Sequence, residues 1–233
     1  MSNSLSQSLK IERPPVTLRE MALERMRAAI IAGQFPSGTR LVERPLCEQL
    51  GVSRSVVRET IRYLEAEGLV EIIPNKGPIV ALMDWDQAKQ IYDVRLLLEA
   101  KAAETCASVA TKKDKARLKK ALDALEAAYH AGEVIQLFET TTDFYKVIFE
   151  ISGHRVAWEI VQRLNGRISR LRAMTLGTFD RHQTGFSRIT EIYQAIADND
   201  PDTASKSVQV HLNEASEIAR KLLTNENDGK GNS

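Results

Sequence analysis

The stretch from Gly51 to Val70 constrains the fold of this chain more tightly than any other part of the sequence. Its apolar residues recur at helical spacing, Ser53 is a favourable N-cap, and Gly68 ends the pattern. A first helix and a short helix over residues 44–50 precede it, and β-forming residues on both sides of the sequence PNKG predict a hairpin after it. This order of helix, helix, turn, helix and hairpin is typical of a winged helix-turn-helix.

Three arginines follow one another at intervals of four residues on the predicted third helix: Arg54, Arg58 and Arg62. On a helical wheel they lie on a different arc from the apolar residues, which are Val57, Ile61 and Leu64. Because a row of like charges destabilises a helix slightly, we expect an anion outside the chain to balance it. In a helix-turn-helix, the N-terminal residues of the second helix meet base edges in the major groove, where arginine pairs with guanine.

An alternative interpretation is a solvated helix face, in which Arg58 and Arg62 pair with Glu59, Glu65 or Glu67. The flanking turn, the N-cap and the hairpin all agree with one another, however. Their agreement favours DNA binding over the solvated face.

Composition excludes several other classes of protein. The chain has 233 residues, of which 43% are hydrophobic, so it is long and apolar enough for a globular core. No apolar run approaches the ~18 residues of a membrane span, and the N-terminus lacks the apolar core of a secretory signal. We therefore expect a cytoplasmic protein with no membrane partner, whose two cysteines, Cys47 and Cys106, are reduced thiols.

The remainder of the chain contains almost no strand signal, and its apolar periodicity predicts an all-α six-helix bundle. The predicted helices cover residues 85–109, 112–130, 134–152, 155–176, 183–197 and 201–223. No Gly-rich phosphate loop, paired-cysteine motif or His-Glu-x-x-His sequence is present, so the pattern does not predict an enzyme. We therefore expect a DNA-binding domain at 15–82 and an all-α domain at 83–224, with flexible tails at 1–14 and 225–233.

The N-terminal part contains the sequences GTRLVERPL and GVSRSVVRETIRYLEAEGLV. In their order and spacing they resemble the DNA-binding domain of the GntR family of bacterial transcription regulators. This resemblance implies that Arg44, Arg54 and Arg58 bind DNA with support from Ser53 and Ser55, and that the region of Gly77 is the tip of the wing. The hairpin residues Lys76 and Gly77 also suit a close approach to the DNA backbone or minor groove, and Arg62 completes the cationic arc.

The helical part resembles the ligand-binding (FCD) domain of the FadR branch of that family, in its shorter, VanR-like six-helix form. The segments IYDVRLLLEAKAAETCA, TTDFYKVIFEISGH and IYQAIADNDPDTASKSVQVHL carry this looser resemblance. Many members hold a divalent metal with one aspartate and three histidines. The resemblance places those positions at Thr141, Tyr145, Ile189 and His211, of which only His211 is a plausible ligand. Asp143 lies on the opposite side of its predicted helix from Thr141, and His154 and His182 lie in predicted breaks between helices. None of them supplies a missing ligand, so we expect no metal cofactor.

Three polar residues interrupt apolar stripes of the predicted bundle: Arg95, Arg167 and His211. Buried cations are costly unless they are paired. One alternative is that Arg95 pairs with Glu99, that Arg167 extends its charged end to solvent, and that His211 is a satisfied core histidine. Three inward groups in one bundle favour an anionic effector such as an organic acid, to which Thr141 and Tyr145 donate hydrogen bonds.

The resulting hypothesis is a homodimeric regulator, a repressor that binds a palindromic operator in double-stranded DNA and is released by a small anionic effector. The rival hypothesis is an architectural DNA-binding protein whose helical half only dimerises. The inward polar residues distinguish the two, because a module that only dimerises has no reason to bury them.

Overall fold

The computed structural model describes residues 17–132, 134–176 and 179–228. The described N-terminal elements follow the predicted order of three helices and a hairpin: α1 Leu18–Ile31, α2 Glu43–Leu50, α3 Arg54–Ala66, β1 Val70–Ile73 and β2 Gly77–Val80. The predicted tail at 1–14 lies outside the described residues. The predicted C-terminal tail lies outside them only in part, because the last helix continues through residues 225–228.

Local chemistry explains the helix-turn-helix. Helix α2 ends at Gly51, whose φ of 66° lies in the left-handed region that glycine adopts at little cost. Ser53 then caps α3, with its Oγ accepting a hydrogen bond from the amide of Val56 at 3.4 Å. The strands β1 and β2 pair in antiparallel register, with Val70 opposite Val80. The predicted winged helix-turn-helix is therefore confirmed.

A compact apolar core joins these elements. It is formed by ten buried residues, which are Met26, Ile30, Leu41, Leu46, Val57, Ile61, Leu64, Leu69, Val70 and Val80. Val57, Ile61 and Leu64, the predicted apolar face of α3, all belong to this core. Helix α3 is thus held by one face, and its opposite face remains exposed.

The helical half contains seven helices in the described part of the chain: α4 Trp85–Val109, α5 Lys112–Ala131, α6 Val134–Ile151, α7 Arg155–Arg163, α8 Asn165–Leu176, α9 Phe179–Ala197 and α10 Pro201–Asp228. The prediction of six helices was wrong because the helix expected over 155–176 is broken at Leu164. Asparagine and glycine follow that residue, and both are weak helix formers. Helix α8 therefore begins at Asn165 as a separate helix, and this has consequences for the candidate site.

Helix α4 lies at the centre of the bundle and packs against α6, α9 and α10, while α5 pairs with α6. Large apolar side chains such as Leu118, Phe144, Ile148 and Phe149 fill the space between them. None of the helices in the described ranges combines the length and the apolar character needed to span a membrane.

Candidate DNA-binding surface and effector cavity

The exposed face of α3 carries the arginines that the sequence singled out. Arg54, Ser55, Arg58 and Arg62 are all exposed, whereas Val57, Ile61 and Leu64 are buried. The hydroxyl groups of Ser53 and Ser55 lie 2.8 Å apart at the start of the helix, beside the backbone amides of its first turn. This end of α3 therefore offers hydrogen-bond donors and positive charge together.

Helix α2 supplies the carboxylate that faces the middle arginine. Nε of Arg58 lies 2.7 Å from Oε1 of Glu43, and this hydrogen bond holds the pKa of the Glu43 carboxyl below its usual range. None of the glutamates proposed for the alternative pairing contacts Arg58 or Arg62 in the described structure. Glu67 instead forms an ion pair with Arg27 of α1.

The remaining predicted DNA contacts also lie on the exposed surface. Arg44 is 81% exposed and has one weak partner, Glu48, one turn along α2 at 3.3 Å. At the wing tip Lys76 is exposed, and Gly77 has a φ of 80° with open space where a side chain would stand. A backbone without a side chain at this position is able to approach DNA closely.

The helical half contains a narrow cavity with about 40 Å³ available to the centres of water molecules. This is room for about three waters. Its wall is formed by thirteen residues from six helices: Tyr92, Arg95, Leu125, Tyr129, Leu137, Thr141, Arg172, Thr175, Gly185, Phe186, Ile189, His211 and Ala215. The lining combines the two guanidinium groups of Arg95 and Arg172 with apolar side chains such as Leu125, Leu137, Phe186 and Ile189. A lining of both kinds suits a ligand with a charged end and an apolar body.

Three of the five predicted effector residues line this cavity, namely Arg95, Thr141 and His211. Tyr145 is buried and lies beside it, with its ring 5.8 Å from the guanidinium carbon of Arg172. Arg167 is placed elsewhere, so its predicted inward position was wrong. The side chain of Arg167 lies on the outer surface of the bundle, and its guanidinium contacts Gly68 of the N-terminal half.

The helix break explains this error. The apolar stripe predicted to include Arg167 was traced through a continuous helix, but α8 begins as a new helix after Leu164. Within α8 the residues that face the bundle are Ile168, Leu171, Arg172 and Thr175, at the expected spacing of one helical face. The inward arginine of this helix is therefore Arg172, which the sequence reasoning missed.

Among the described side chains at the cavity, positive charges outnumber negative ones. Arg95 forms a buried ion pair with Glu99, Nε to Oε1 at 2.8 Å, as the alternative of internal pairing proposed. Arg172 contacts no carboxylate in the part of the chain that the structure describes. Its Nη1 donates a hydrogen bond to Oγ1 of Thr142 at 3.2 Å. Burial and the nearby charge of Arg95 lower the pKa of Arg172 to about 10, so the group remains charged at neutral pH.

The positions of the family metal site hold no metal-binding set in the described residues. The hydroxyl of Thr141 donates to the carbonyl oxygen of Leu137 at 2.6 Å, and Ile189 contributes only an apolar wall. Asp143 is exposed and faces the groove between the two halves of the chain, and the side chain of His182 lies outside the described residues. Across the described side chains, no three His, Cys, Asp or Glu residues come together as metal ligands.

Comparisons with known proteins agree with this architecture. The model of the gntR family of bacterial regulatory proteins matches residues 18–80, and the FCD domain model matches residues 90–214. The chain is 25% identical to the transcriptional repressor RspR of Escherichia coli K12, covering 87% of this chain and 89% of that protein. It is 27% identical to the transcriptional repressor NanR of Klebsiella aerogenes, covering 88% and 86% of the two chains.

Solved structures show the same fold. The E. coli protein McbR/YncC superimposes with a TM-score of 0.72 at 20% identity, covering 89% of this chain and 99% of that one. A GntR regulator from Rhodococcus sp. RHA1 gives a TM-score of 0.72 at 24% identity, covering 86% and 96%. With a gntR-type winged helix-turn-helix followed by an FCD domain, the chain belongs to the GntR family of bacterial transcription regulators.

Proposed function

We propose that this regulator is a homodimeric repressor that acts in the cytoplasm, binds a palindromic operator and is released by a small anionic effector bound in the helical half. Two of its relatives, RspR and NanR, are named repressors, although another, from E. coli K12, is named the activator of the Glc operon. The repressor assignment rests on those names.

The proposal of an anionic effector is carried by one observation. Two guanidinium groups, those of Arg95 and Arg172, face a cavity in which Glu99 is the one described carboxylate beside them. A cation that lacks an anionic partner is costly when enclosed by protein, and a ligand carboxylate would offset that cost. A purely dimerising helical domain has no use for such an arrangement, which makes the architectural alternative less suitable.

The dimer is proposed on two grounds. One winged domain contacts too few base pairs for high specificity, and two-fold protein symmetry pairs with palindromic sites. By resemblance to the family, the segment VRLLLEAKAAE of α4, residues 94–104, is the proposed interface. Within it Leu97 is 71% exposed although it is a large apolar residue. An apolar side chain in that position suits a contact with a second copy of the chain.

A ligand screen followed by a DNA-release assay tests the proposed function. Purified full-length protein is heated with a panel of organic acids and their neutral amides, and compounds that raise Tm are added to a protein–operator complex in a gel shift. We expect carboxylates but not amides to raise Tm and to release DNA. Stabilisation by an amide equal to that by its acid would contradict an anionic effector. Near-stoichiometric zinc or nickel in the purified protein would contradict the metal-free site.

A further inference from the structure

Helix α8 contacts both the cavity and the N-terminal half of the chain. Arg172 and Thr175 face the cavity, and residues 166, 167 and 170 of the same helix contact the winged domain. We propose that α8 is the element that transmits effector binding to the winged domain, with Thr142 as a positioning residue for Arg172 and with Arg170 as the anchor to the winged domain. This inference rests on the proposed function, which supplies an effector and an operator.

The contact with the winged domain is close at the start of α8. A methyl group on the α-carbon of Gly166 would lie 2.9 Å from the carbonyl oxygen of Glu67 and 2.9 Å from Cγ of Leu69. Only glycine fits there without displacement of the neighbouring chain. Glu67 and Leu69 connect the end of recognition helix α3 to strand β1, so α8 touches the part of the winged domain that fixes both elements.

Arg170 ties the same helix to the other end of the wing. Its side chain is buried, and it donates hydrogen bonds to the carbonyl oxygen of Ala81 and to the hydroxyl of Ser37. Ala81 follows directly after strand β2. These two hydrogen bonds oppose a displacement of α8 relative to the winged domain, because the displacement would leave buried donors of the guanidinium without acceptors.

On the cavity side, Thr142 holds Arg172 in its present position. Oγ1 of Thr142 accepts from Nη1 of Arg172 at 3.2 Å. The hydroxyl hydrogen has two acceptors within reach, the carbonyl oxygen of Phe138 at 2.8 Å and Oδ1 of Asn165, the first residue of α8, at 3.3 Å. Thr142 also borders the groove between the two halves. One hydroxyl thus connects the cavity arginine to the N-terminal end of α8.

A bound anion would change this arrangement. A carboxylate is a stronger acceptor for guanidinium than a neutral hydroxyl, so Arg172 is expected to exchange Thr142 for the ligand. The cavity has room for about three waters, so a larger ligand must also displace wall side chains. Because Gly166 and Arg170 fix α8 to the winged domain, a shift of α8 alters the orientation of that domain. Two such domains in a dimer must match the spacing of two half-sites, and a change of orientation weakens operator binding.

Helix α4 is less suited to this task, although it follows the winged domain directly in the chain. Its cavity arginine, Arg95, is already bound to Glu99 within the same helix. Exchange of this carboxylate for a ligand would change an ion pair within α4 itself. Arg172, by contrast, contacts a residue of a different helix.

A double-mutant cycle on operator affinity tests the relay without a known effector. The full-length protein selects its own operator fragment from a random-sequence DNA library, and fluorescence anisotropy at fixed salt gives Kd for Thr142→Val, Arg170→Met and the double variant. We expect Thr142→Val to change Kd by about threefold or more, since coupling residues distant from a ligand have effects of this size. In the Arg170→Met background the same substitution should change Kd by less than about 1.5-fold, because the link to the winged domain is removed.

Thr140→Val is the matched control, because Thr140 lies on the same helix and, among the described residues, its hydroxyl bonds only the carbonyl oxygens of Gln136 and Leu137 of α6. It should leave Kd unchanged. Equal fold-changes for Thr142→Val in both backgrounds, no change at all, or an equal effect of Thr140→Val would each overturn the relay. If Arg170→Met loses its native circular dichroism, Arg170→Lys takes its place in the cycle. Failure of the parent protein to enrich any DNA sequence would overturn the proposed operator binding itself. Failure of the relay and failure of operator binding therefore give different results.

Discussion

Arg95 and Glu99 lie one turn apart on α4 and form an ion pair that solvent barely reaches. Nε of Arg95 is 2.8 Å from Oε1 of Glu99, and the two side chains are 2% and 1% exposed. A second contact, from Nη2 to Oε2 at 3.3 Å, makes the pair bidentate. Removing two charges from water costs several kcal/mol per ion, and only the presence of both partners offsets that cost. The stability of this part of the cavity wall therefore depends on the presence of both Arg95 and Glu99.

Glu99→Gln should lower the free energy of unfolding by about 3 to 5 kcal/mol, because it leaves the Arg95 guanidinium buried without a counter-charge. Urea denaturation followed by circular dichroism measures this loss. Asp123→Asn is the control, since Asp123 pairs with Lys119 on the exposed surface of α5 and surface pairs contribute little. A similar loss for both variants would mean that burial of the Arg95 pair does not determine its effect.

Anion binding should depend on Arg172 and not on Arg167. Arg172→Met removes a charged donor from the cavity wall, whereas Arg167→Met changes an exposed arginine of the same helix. For an organic acid that raises Tm of the parent protein, we expect the rise to disappear in the first variant and to persist in the second. A ligand at a hundred times its Kd stabilises a protein by about 2.7 kcal/mol. The loss of this stabilisation in Arg172→Met is large enough to measure as a lower Tm.

If both variants keep the full rise in Tm, the anion does not bind through Arg172. If Arg167→Met alone loses it, the ligand binds at the boundary with the winged domain, near Gly68, and the cavity is not the effector site.

Arg58→Ala should weaken binding to the selected operator by about tenfold or more per half-site, and binding to random DNA by less. The reason is that an arginine at the start of a recognition helix reads base edges, whereas contacts to phosphates are independent of sequence. Gel-shift titrations on both DNAs at one salt concentration provide the comparison. Arg62→Ala, further from the N-terminus of α3, is expected to reduce both affinities alike. Equal losses on the two DNAs for Arg58→Ala would make Arg58 a phosphate contact.

The sequence predicted the winged domain closely because its signals are local. Gly51 ends one helix, Ser53 begins the next, and the apolar residues of α3 follow one uninterrupted period. Each of these features acts within a few residues of itself, so no knowledge of distant parts of the chain is needed.

The cavity was predicted only in part because its geometry depends on a helix break. Arg95, Thr141 and His211 lie in helices without interruption, and their inward directions follow from spacing alone. Arg172 follows a break at Leu164, and a pattern traced through the break assigned Arg167 to the wrong face. The contacts of Gly166 and Arg170 with the winged domain carry no periodic signal, since they join residues about 90 to 130 positions apart in the chain.

Leu97→Glu should convert the proposed dimer to a monomer, because it places a charge on an exposed apolar position of the proposed α4 interface. Multi-angle light scattering on the full-length protein measures the mass. Val109→Glu is the control, since Val109 is also apolar and 53% exposed but lies at the end of α4, outside the proposed interface segment. A dimer that survives Leu97→Glu would place the interface on another surface.

Cys106 should make the stability of this protein fall at alkaline pH. Its side chain is completely buried, and burial raises the pKa of its thiol from 9.0 to about 12. A raised pKa means that the folded state keeps the proton longer than the unfolded chain does. This contribution is fully present below about pH 9 and is lost as pH rises towards 12, by up to about 1.4 kcal/mol per pH unit. Urea denaturation at pH 8, 9.5 and 10.5 should show a steeper decline for the parent than for Cys106→Ala, whose small cavity lowers stability equally at each pH. Parallel declines would show that the thiol ionises as easily in the folded protein as in the unfolded chain.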